Sequence, residues 1–344
     1  MSMNERVSHQ NHNTDAGYVE VLTIAPPDIE LVDAVSVAQT AYGYVGAVKP
    51  LGGERDKNYL VESHGRPPMV LKFINIAETA DEIDVQIQVL NWLAKQPHQV
   101  CMPQNLATLD GEDLFWFEKN NQVIRVRAYT FIEGQSILGL AEPQALYGAF
   151  GATAAQMVTA LKGFDHPALE RVLLWDMMHL MQLTEWLAQI DLEDALKIEI
   201  AAFFEHFGRN VWPQLQALPQ QVIHGDLSKS NTVASAAQPD QIHGVLDFGD
   251  LCRGPRVVEL AIAASYAIDE SDQALLALPK VMAGYESLLP LTAQERALLP
   301  DLVKARLVQR MVISKWRAQK FPNNERYILR ATNQAVALFK QFIQ

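Results

Sequence analysis

A handful of residues between His224 and Asp250 have types and spacing suited to chemistry. His224-Gly225-Asp226-Leu227-Ser228-Lys229-Ser230-Asn231 sets an Asp five positions before an Asn, and Asp247-Phe248-Gly249-Asp250 begins sixteen residues after that Asn. Phosphoryl transfer from a nucleotide uses this inventory, because its loose transition state is stabilised mainly by positioning and by metal charge. One carboxylate takes the proton of the attacking hydroxyl. A second carboxylate and a side-chain amide oxygen hold the ions that neutralise the phosphates. Hard oxygen ligands suit Mg²⁺, and the chain offers them without a competing Cys/His cluster. Either block alone reads as a turn, since Asp and Gly are ordinary turn residues. Together, at a spacing with room for one short hairpin, they point to a kinase-type catalytic segment.

The flanking elements suit that placement. Gln221-Val222-Ile223 leads in as a short apolar strand, and Thr232-Val233 follows Asn231 in the same way. Residues 235–240 are turn-rich, and 242–246 form another apolar run that ends at Asp247.

Such a site needs a second half that covers the phosphates and supplies a Lys. Residues 44–48 and 58–62 flank Leu51-Gly52-Gly53-Glu54-Arg55-Asp56-Lys57, which reads as strand, Gly-containing turn, strand. Residues 68–74 form a third strand with Lys72 at its apolar centre. A Lys between Leu71 and Phe73 must be desolvated unless it meets anions; alone it reads as an edge-strand Lys facing solvent, and with the downstream motif Lys72 is the expected phosphate-binding residue. The Gly52-Gly53 turn departs from G-x-G-x-x-G; its backbone either approaches the nucleotide or closes a hairpin. Thr79-Ala80-Asp81-Glu82 is a capping box, and the helix after it runs to about Gln96 with Ile83, Ile87, Leu90 and Ala94 on one face. An acid on this helix is expected to pair with Lys72. The sequence leaves Glu82, which has the reciprocal cap to serve, and Asp84, which is favoured.

At 344 residues with 49% hydrophobic content, the chain suits two domains, each with its own core. No apolar run reaches the length of a membrane span, and residues 1–17 lack a signal-peptide core, so a cytoplasmic protein without a membrane partner is expected. Cys101 and Cys252 are the only cysteines, which implies neither a disulfide framework nor a zinc site. A net charge of −12 argues against a nucleic-acid partner and otherwise serves solubility. Monomer and homodimer both stay open.

Residues 1–20 read as a flexible tail, 21–133 as a nucleotide-binding lobe and 134–344 as a catalytic and substrate-binding lobe, with the boundary at Glu133-Gly134-Gln135. A helix over 28–42 precedes the strands. Strands 106–109 and 114–118 are expected to form a hairpin around Asp110-Gly111-Glu112, with 123–131 as a further strand. From Glu142 onward the pattern is helical, over 144–161, 177–187, 192–218, 257–267, 271–288, 293–318 and 324–342, and Pro213 should kink or interrupt the third of these. The fold class is α+β: a small antiparallel sheet with one main helix, then a larger, mostly helical lobe.

The order of elements and His224-Gly225-Asp226 with Asn231 resemble the aminoglycoside phosphotransferase and choline kinase superfamily. Val70-Leu71-Lys72-Phe73, Gly244-Val245-Leu246-Asp247-Phe248-Gly249-Asp250 and Gly284-Tyr285-Glu286-Ser287-Leu288-Leu289-Pro290-Leu291-Thr292 are most similar to its hydroxylysine kinase group. The likeness runs from about Leu31 to the C-terminus. It implies a two-lobed, protein-kinase-like fold in which Asp226 orients the acceptor hydroxyl and takes its proton. Asn231 and Asp247 would hold Mg²⁺, and Lys72 would meet the nucleotide phosphates, the nucleotide being ATP or GTP. Gly225 stands where protein kinases have the Arg of His-Arg-Asp, which removes the anchor of a phosphorylated activation loop. The short passage from Asp250 to Glu259 leaves little room for such a loop, so the resemblance implies a small-molecule hydroxyl substrate.

Recognition of that substrate is less legible. An ammonium wants carboxylates or aromatic faces, and the candidates are Asp250, Trp175 and Asp176. Asp250 either faces the acceptor or caps the following turn. Trp175-Asp176 reads more readily as a buried Trp beside a helix-capping Asp. Arg310 and Arg317 share a helix face of the kind that is usually solvated, and Glu259, among apolar neighbours, reads as a structural acid. Three functions follow: a kinase for a hydroxylysine-like amine; a kinase for homoserine, choline or an aminoglycoside; and a nucleotide-binding module without catalysis.

Overall fold

The computed structural model describes residues 24–343 except 54, 139, 141–142, 236 and 272, so the expected tail over 1–20 lies outside the described residues. The chain forms two compact units. The first ends at Glu133 and the second opens at Gly134, with Gln96–Cys101 belonging to the second.

In the first unit, helix α1 (Leu31–Tyr42) precedes β1 (Gly46–Leu51), β2 (Lys57–Ser63) and β3 (Arg66–Phe73). Then come α2 (Ala80–Leu93), β4 (Asn105–Leu106), β5 (Phe115–Lys119) and β6 (Gln122–Thr130). The sheet is antiparallel in the order β1-β2-β3-β6-β4, with β5 on β6. Strand periodicity sorts β3 into two faces. Met69, Leu71 and Phe73 are buried in one core with Ala34, Val37, Ala38 and Ala41 of α1, while Ile74 packs with Ile83 and Ile87 of α2. Lys72 therefore shares neither the face nor the core of the two residues beside it in sequence.

The hairpin expected around Asp110-Gly111 does not form. β5 turns instead into β6 through Asn120 and Asn121, at φ 52° and 60°, and β4 pairs with β6. Two consecutive positive-φ residues match the twist of a two-residue hairpin, and Asn tolerates that conformation better than most side chains.

The second unit holds α3 (Tyr147–Ala160), α4 (Asp194–His206), α5 (Arg256–Ala267), α6 (Ala274–Glu286), α7 (Ala293–Lys320) and α8 (Thr332–Ile343). The helix expected over 192–218 is interrupted as Pro213 requires. α4 passes into a π-helical turn at Phe207–Val211 and a short helix resumes at Trp212–Gln216 with Pro213 in its first turn. The wider turn accommodates the ring and the missing N–H. The stretch over 177–187 is mostly 3₁₀, Met177–Leu183, and 324–342 is broken by a 3₁₀ turn at Leu329–Ala331 between a short helix at Glu325–Ile328 and the helix from Thr332. Short strands complete the unit: β7 (Gln135–Ser136), β9 (Thr232–Ala234) and β10 (Ile242–Val245) in one sheet, β8 (Gln220–Ile223) and β11 (Cys252–Pro255) in another. Among the described residues no helix is long and apolar enough to cross a membrane.

Candidate active site

Two strand pairs of the second unit gather the candidate residues. In the β9–β10 pair Val245 lies opposite Thr232, and the Leu246 N–H donates to the Asn231 carbonyl at 2.8 Å. This register brings Asn231 beside Asp247 although the two are sixteen positions apart. In the β8–β11 pair Cys252 lies opposite Ile223, which sets Gly225 against Asp250. The approach is so close that a Cβ at Gly225 would stand 2.2 Å from the Asp250 carbonyl oxygen, and Gly225 has φ +82°. Glycine is thus required twice over, by the left-handed backbone and by the space. An Arg at this position is incompatible with the pairing.

His224 and Glu259 lock the loop from beneath. Both are 0% exposed. The Asp226 N–H donates to His224 Nδ1 at 3.3 Å and His224 Nε2 donates to the Leu246 carbonyl at 3.1 Å, roles forced because one partner only donates and the other only accepts. The His224 ring meets Phe248 edge-on at 4.9 Å. Glu259, on α5, accepts the Gly225 N–H at 3.1 Å. Burial pushes its carboxyl up, while His224 and the loop N–H groups act against that. The expected structural acid is found in that role.

Asp226 is the exposed end of this arrangement, with its side chain 21% accessible. Asn231 Nδ2 donates to Asp226 Oδ2 at 2.7 Å and to its carbonyl at 3.1 Å, so the amide oxygen of Asn231 points the other way. Arg306 Nη2 donates to Asp226 Oδ1 at 2.9 Å. The Ser228 hydroxyl also donates to Asp226 Oδ2, at 3.5 Å, so Oδ1 is the oxygen that keeps a lone pair for an acceptor hydroxyl. Asp247 is exposed, at φ 60°, and its Oδ1 accepts the Gly249 N–H at 3.1 Å. Arg171 Nη2 donates to the Gly249 carbonyl at 2.6 Å and steadies the same turn.

Burial, and then the charges of Asp226 and Asp247, raise the Asp250 carboxyl to about 6, with Arg306 acting against them. Asp247 and the amide oxygen of Asn231 are hard oxygen donors, and Mg²⁺, which keeps several waters and takes one or two protein carboxylates, fits such a pair. Among the described residues no group of three or more His, Cys, Asp or Glu is arranged to hold a metal alone. The fit therefore depends on the Asn231 amide oxygen and Asp247 together.

In the first unit Lys72 pairs with Asp56, Nζ to Oδ2 at 2.7 Å, each side chain 14% exposed. Burial lowers the affinity of Lys72 for its proton, but Asp56 and Glu78 more than restore it, so its pKa is raised and the ammonium stays charged. The expected partner on α2 is not the one observed. Glu82 closes the capping box with Thr79, and Asp84 is exposed and accepts from Gln88, one turn on. The face of α2 decides this, since Asp84 lies opposite the buried side that carries Ile83 and Ile87. Asp56 is held by the Asn75 N–H on its Oδ1 at 2.8 Å. Gly52 and Gly53 form the turn between β1 and β2; a Cβ on Gly53 would stand 2.7 Å from the Asp56 carbonyl, whereas one on Gly52 would meet nothing within 4 Å.

Of the remaining candidates, Asp176 serves the cap. Its Oδ1 accepts the Met178 N–H at 2.8 Å, its Oδ2 lies 3.0 Å from His179 Nδ1, and it is buried. The Trp175 ring is occupied by the Arg306 guanidinium at 4.9 Å, so it has a cation of its own rather than one from a ligand. Arg310 is buried, not solvated. Sequence reasoning passed over Asp56, Arg171 and Arg306. Only Arg306 left a trace, as a cation that with Lys304 interrupts the apolar residues from Leu302 to Val308.

The chain is 29% identical to the hydroxylysine kinase of Danio rerio over 315 residues, covering 88% of each chain. It is 27% identical to the homoserine kinase of Rhizobium rhizogenes over 254 residues, 73% of this chain and 74% of that one. The fold is shared with a GDP complex of an aminoglycoside 2'-phosphotransferase-IIIa mutant, at TM-score 0.64 and 17% identity, over 90% of this chain and 98% of that one. The pattern of the phosphotransferase enzyme family matches residues 47–298, and with Asp226, Asn231 and Asp247 brought together inside that span, the chain belongs to this family.

Proposed function

We propose that this phosphotransferase moves the γ-phosphoryl group of ATP or GTP to the hydroxyl of a small hydroxy-amino acid or amino alcohol, with hydroxylysine as the leading acceptor. The observation that carries the reading is the Asp226 carboxylate, accessible at its tip and held at both oxygens by Asn231 and Arg306. Asp226 takes the acceptor proton as the new O–P bond forms and the bond from the γ-phosphorus to the diphosphate breaks. Asn231 and Asp247 would hold Mg²⁺, whose charge offsets that of the phosphates. Lys72, kept charged by Asp56 and Glu78, supplies a further cation for them. The hydroxylysine kinase relatives, matched along most of both chains, support the acceptor class. Homoserine, also a hydroxy-amino acid, is the second reading, supported by the homoserine kinase relatives.

The test is nucleotide consumption by the purified protein with Mg²⁺, with ATP and with GTP, across hydroxylysine, homoserine, choline, ethanolamine and kanamycin. Asp226→Asn serves as the blank: turnover is lost and nucleotide binding is nearly intact. Substantial turnover by that variant would remove Asp226 from the role of base.

A further inference from the structure

Arg306 stands in the middle of α7, flanked by the buried side chains of Leu302, Val303, Leu307 and Val308. A guanidinium is retained in such surroundings only where acceptors and anions meet it. Its Nη1 donates to the Trp175 carbonyl at 2.8 Å and its Nη2 to Asp226 Oδ1 at 2.9 Å. The Tyr266 hydroxyl lies 3.5 Å from Nη2, and the ring centres of Trp175 and Tyr266 stand 4.9 and 5.6 Å from Cζ. The side chain is 1% exposed, against 21% for Asp226. Arg306 is thus out of reach of an acceptor, and what it does to the reaction it does through Asp226.

We infer that Arg306 is the positioning residue of the catalytic base: it fixes one oxygen of Asp226 while Asn231 fixes the other, so the carboxylate has a single orientation toward the acceptor hydroxyl. The inference rests on the reading of Asp226 as base. Two fixed donors restrict rotation about the bond to the carboxyl group, whereas one would leave it a hinge. The aromatic rings and the Trp175 carbonyl restrict the arginine in turn, on a helix of 28 residues. Arg310, one turn further along, is the natural contrast. Its donors go to the Ser265 carbonyl at 2.6 Å, the Ala331 carbonyl at 3.2 Å and Gln334 Oε1 at 2.9 Å, none of them in the loop that carries Asp226.

The experiment is steady-state kinetics of the full chain with Mg²⁺, ATP or GTP, and hydroxylysine, homoserine or ethanolamine. The variants are Arg306→Ala, Arg306→Lys and Arg310→Ala. A base displaced by about 1 Å loses roughly 100-fold in rate, so kcat of Arg306→Ala is expected to fall by about that factor while KM for the nucleotide stays near wild type. Guanidinium ion at non-denaturing concentration should restore part of this loss in Arg306→Ala and none in Arg310→Ala, whose kcat stays near wild type. Equal losses in the two alanine variants without rescue would show a merely structural role and overturn the inference. Should Arg306→Ala not fold, Arg306→Lys is read instead. It keeps the charge but not the fork that spans Asp226 and Trp175, so a kcat lowered by about tenfold supports positioning, and a wild-type kcat overturns it. Silence of the wild type on every acceptor would remove the base itself, and this inference with it, whereas wild-type turnover with undiminished kcat in the variants removes the inference alone.

Discussion

The contact between Gly225 and Asp250 gives the sharpest quantitative expectation. In Gly225→Ala the new methyl would start 2.2 Å from the Asp250 carbonyl oxygen, 3.2 Å from its carbon and 3.4 Å from Cys252 Sγ, on a backbone at φ +82°. Carbon and oxygen ordinarily approach to about 3.3 Å, so the β8–β11 ends must part by about 1 Å. Left-handed backbone costs an L-residue about 1–2 kcal/mol and overpacking about 1–3 kcal/mol, which together lower stability by roughly 2–5 kcal/mol. The displaced residues carry Asp226 on one side and Asp250 on the other, and a shift of about 1 Å in a reacting group costs about 100-fold in rate. Urea unfolding and kcat read the two effects separately. A variant with the wild-type midpoint and the wild-type kcat would refute the close pairing of these segments and the account of why position 225 is not Arg. Gly225→Arg adds a longer side chain to the same collision and is expected to fare worse than Ala in both measurements.

Other expectations follow from the same geometry. Asp56→Ala leaves Lys72 without its 2.7 Å partner, and breaking such a pair lowers stability by about 3 kcal/mol. Part of that loss should return with Mg-nucleotide, as phosphates take the place of Asp56; an equal drop in melting temperature with and without nucleotide would separate Lys72 from the phosphates. Asp250 holds its proton more tightly in the folded chain, to about 6, than an ordinary carboxyl does. Its contribution to stability is therefore complete below the usual carboxylate range and is lost as the pH rises through about 6. Urea midpoints of the metal-free protein between these limits should fall with rising pH less steeply in Asp250→Asn than in wild type, and parallel profiles would show that the titration lies elsewhere. Asp247→Ala is expected to weaken Mg-nucleotide binding, read by titration calorimetry, and unchanged binding would exclude Asp247 as a ligand.

What the sequence alone determined is local. Asp226, Asn231, Asp247 and Asp250 fall within 25 consecutive positions, 226–250, and the apolar runs and turn residues between them prescribe the hairpin that joins them. Hairpin formation is a short-range event with short-range signals, and so the core of the site was legible. The capping box at Thr79, the break at Pro213 and Lys72 on its strand were legible for the same reason. What surrounds each charge was left to the tertiary structure. Asp84 and Asp56 are equally acidic in the sequence, but the face that α2 buries excludes the first, and the turn after β1 brings in the second. Asn120-Asn121 competed with Asp110-Gly111 for the hairpin, and pairing of β5 with β6 settled it. Arg306 lies 80 residues from Asp226, and nothing near it in the sequence indicates which carboxylate it meets. Partners of a buried charge are fixed by the packing of elements distant along the chain, and that packing is a property of the whole fold rather than of any segment.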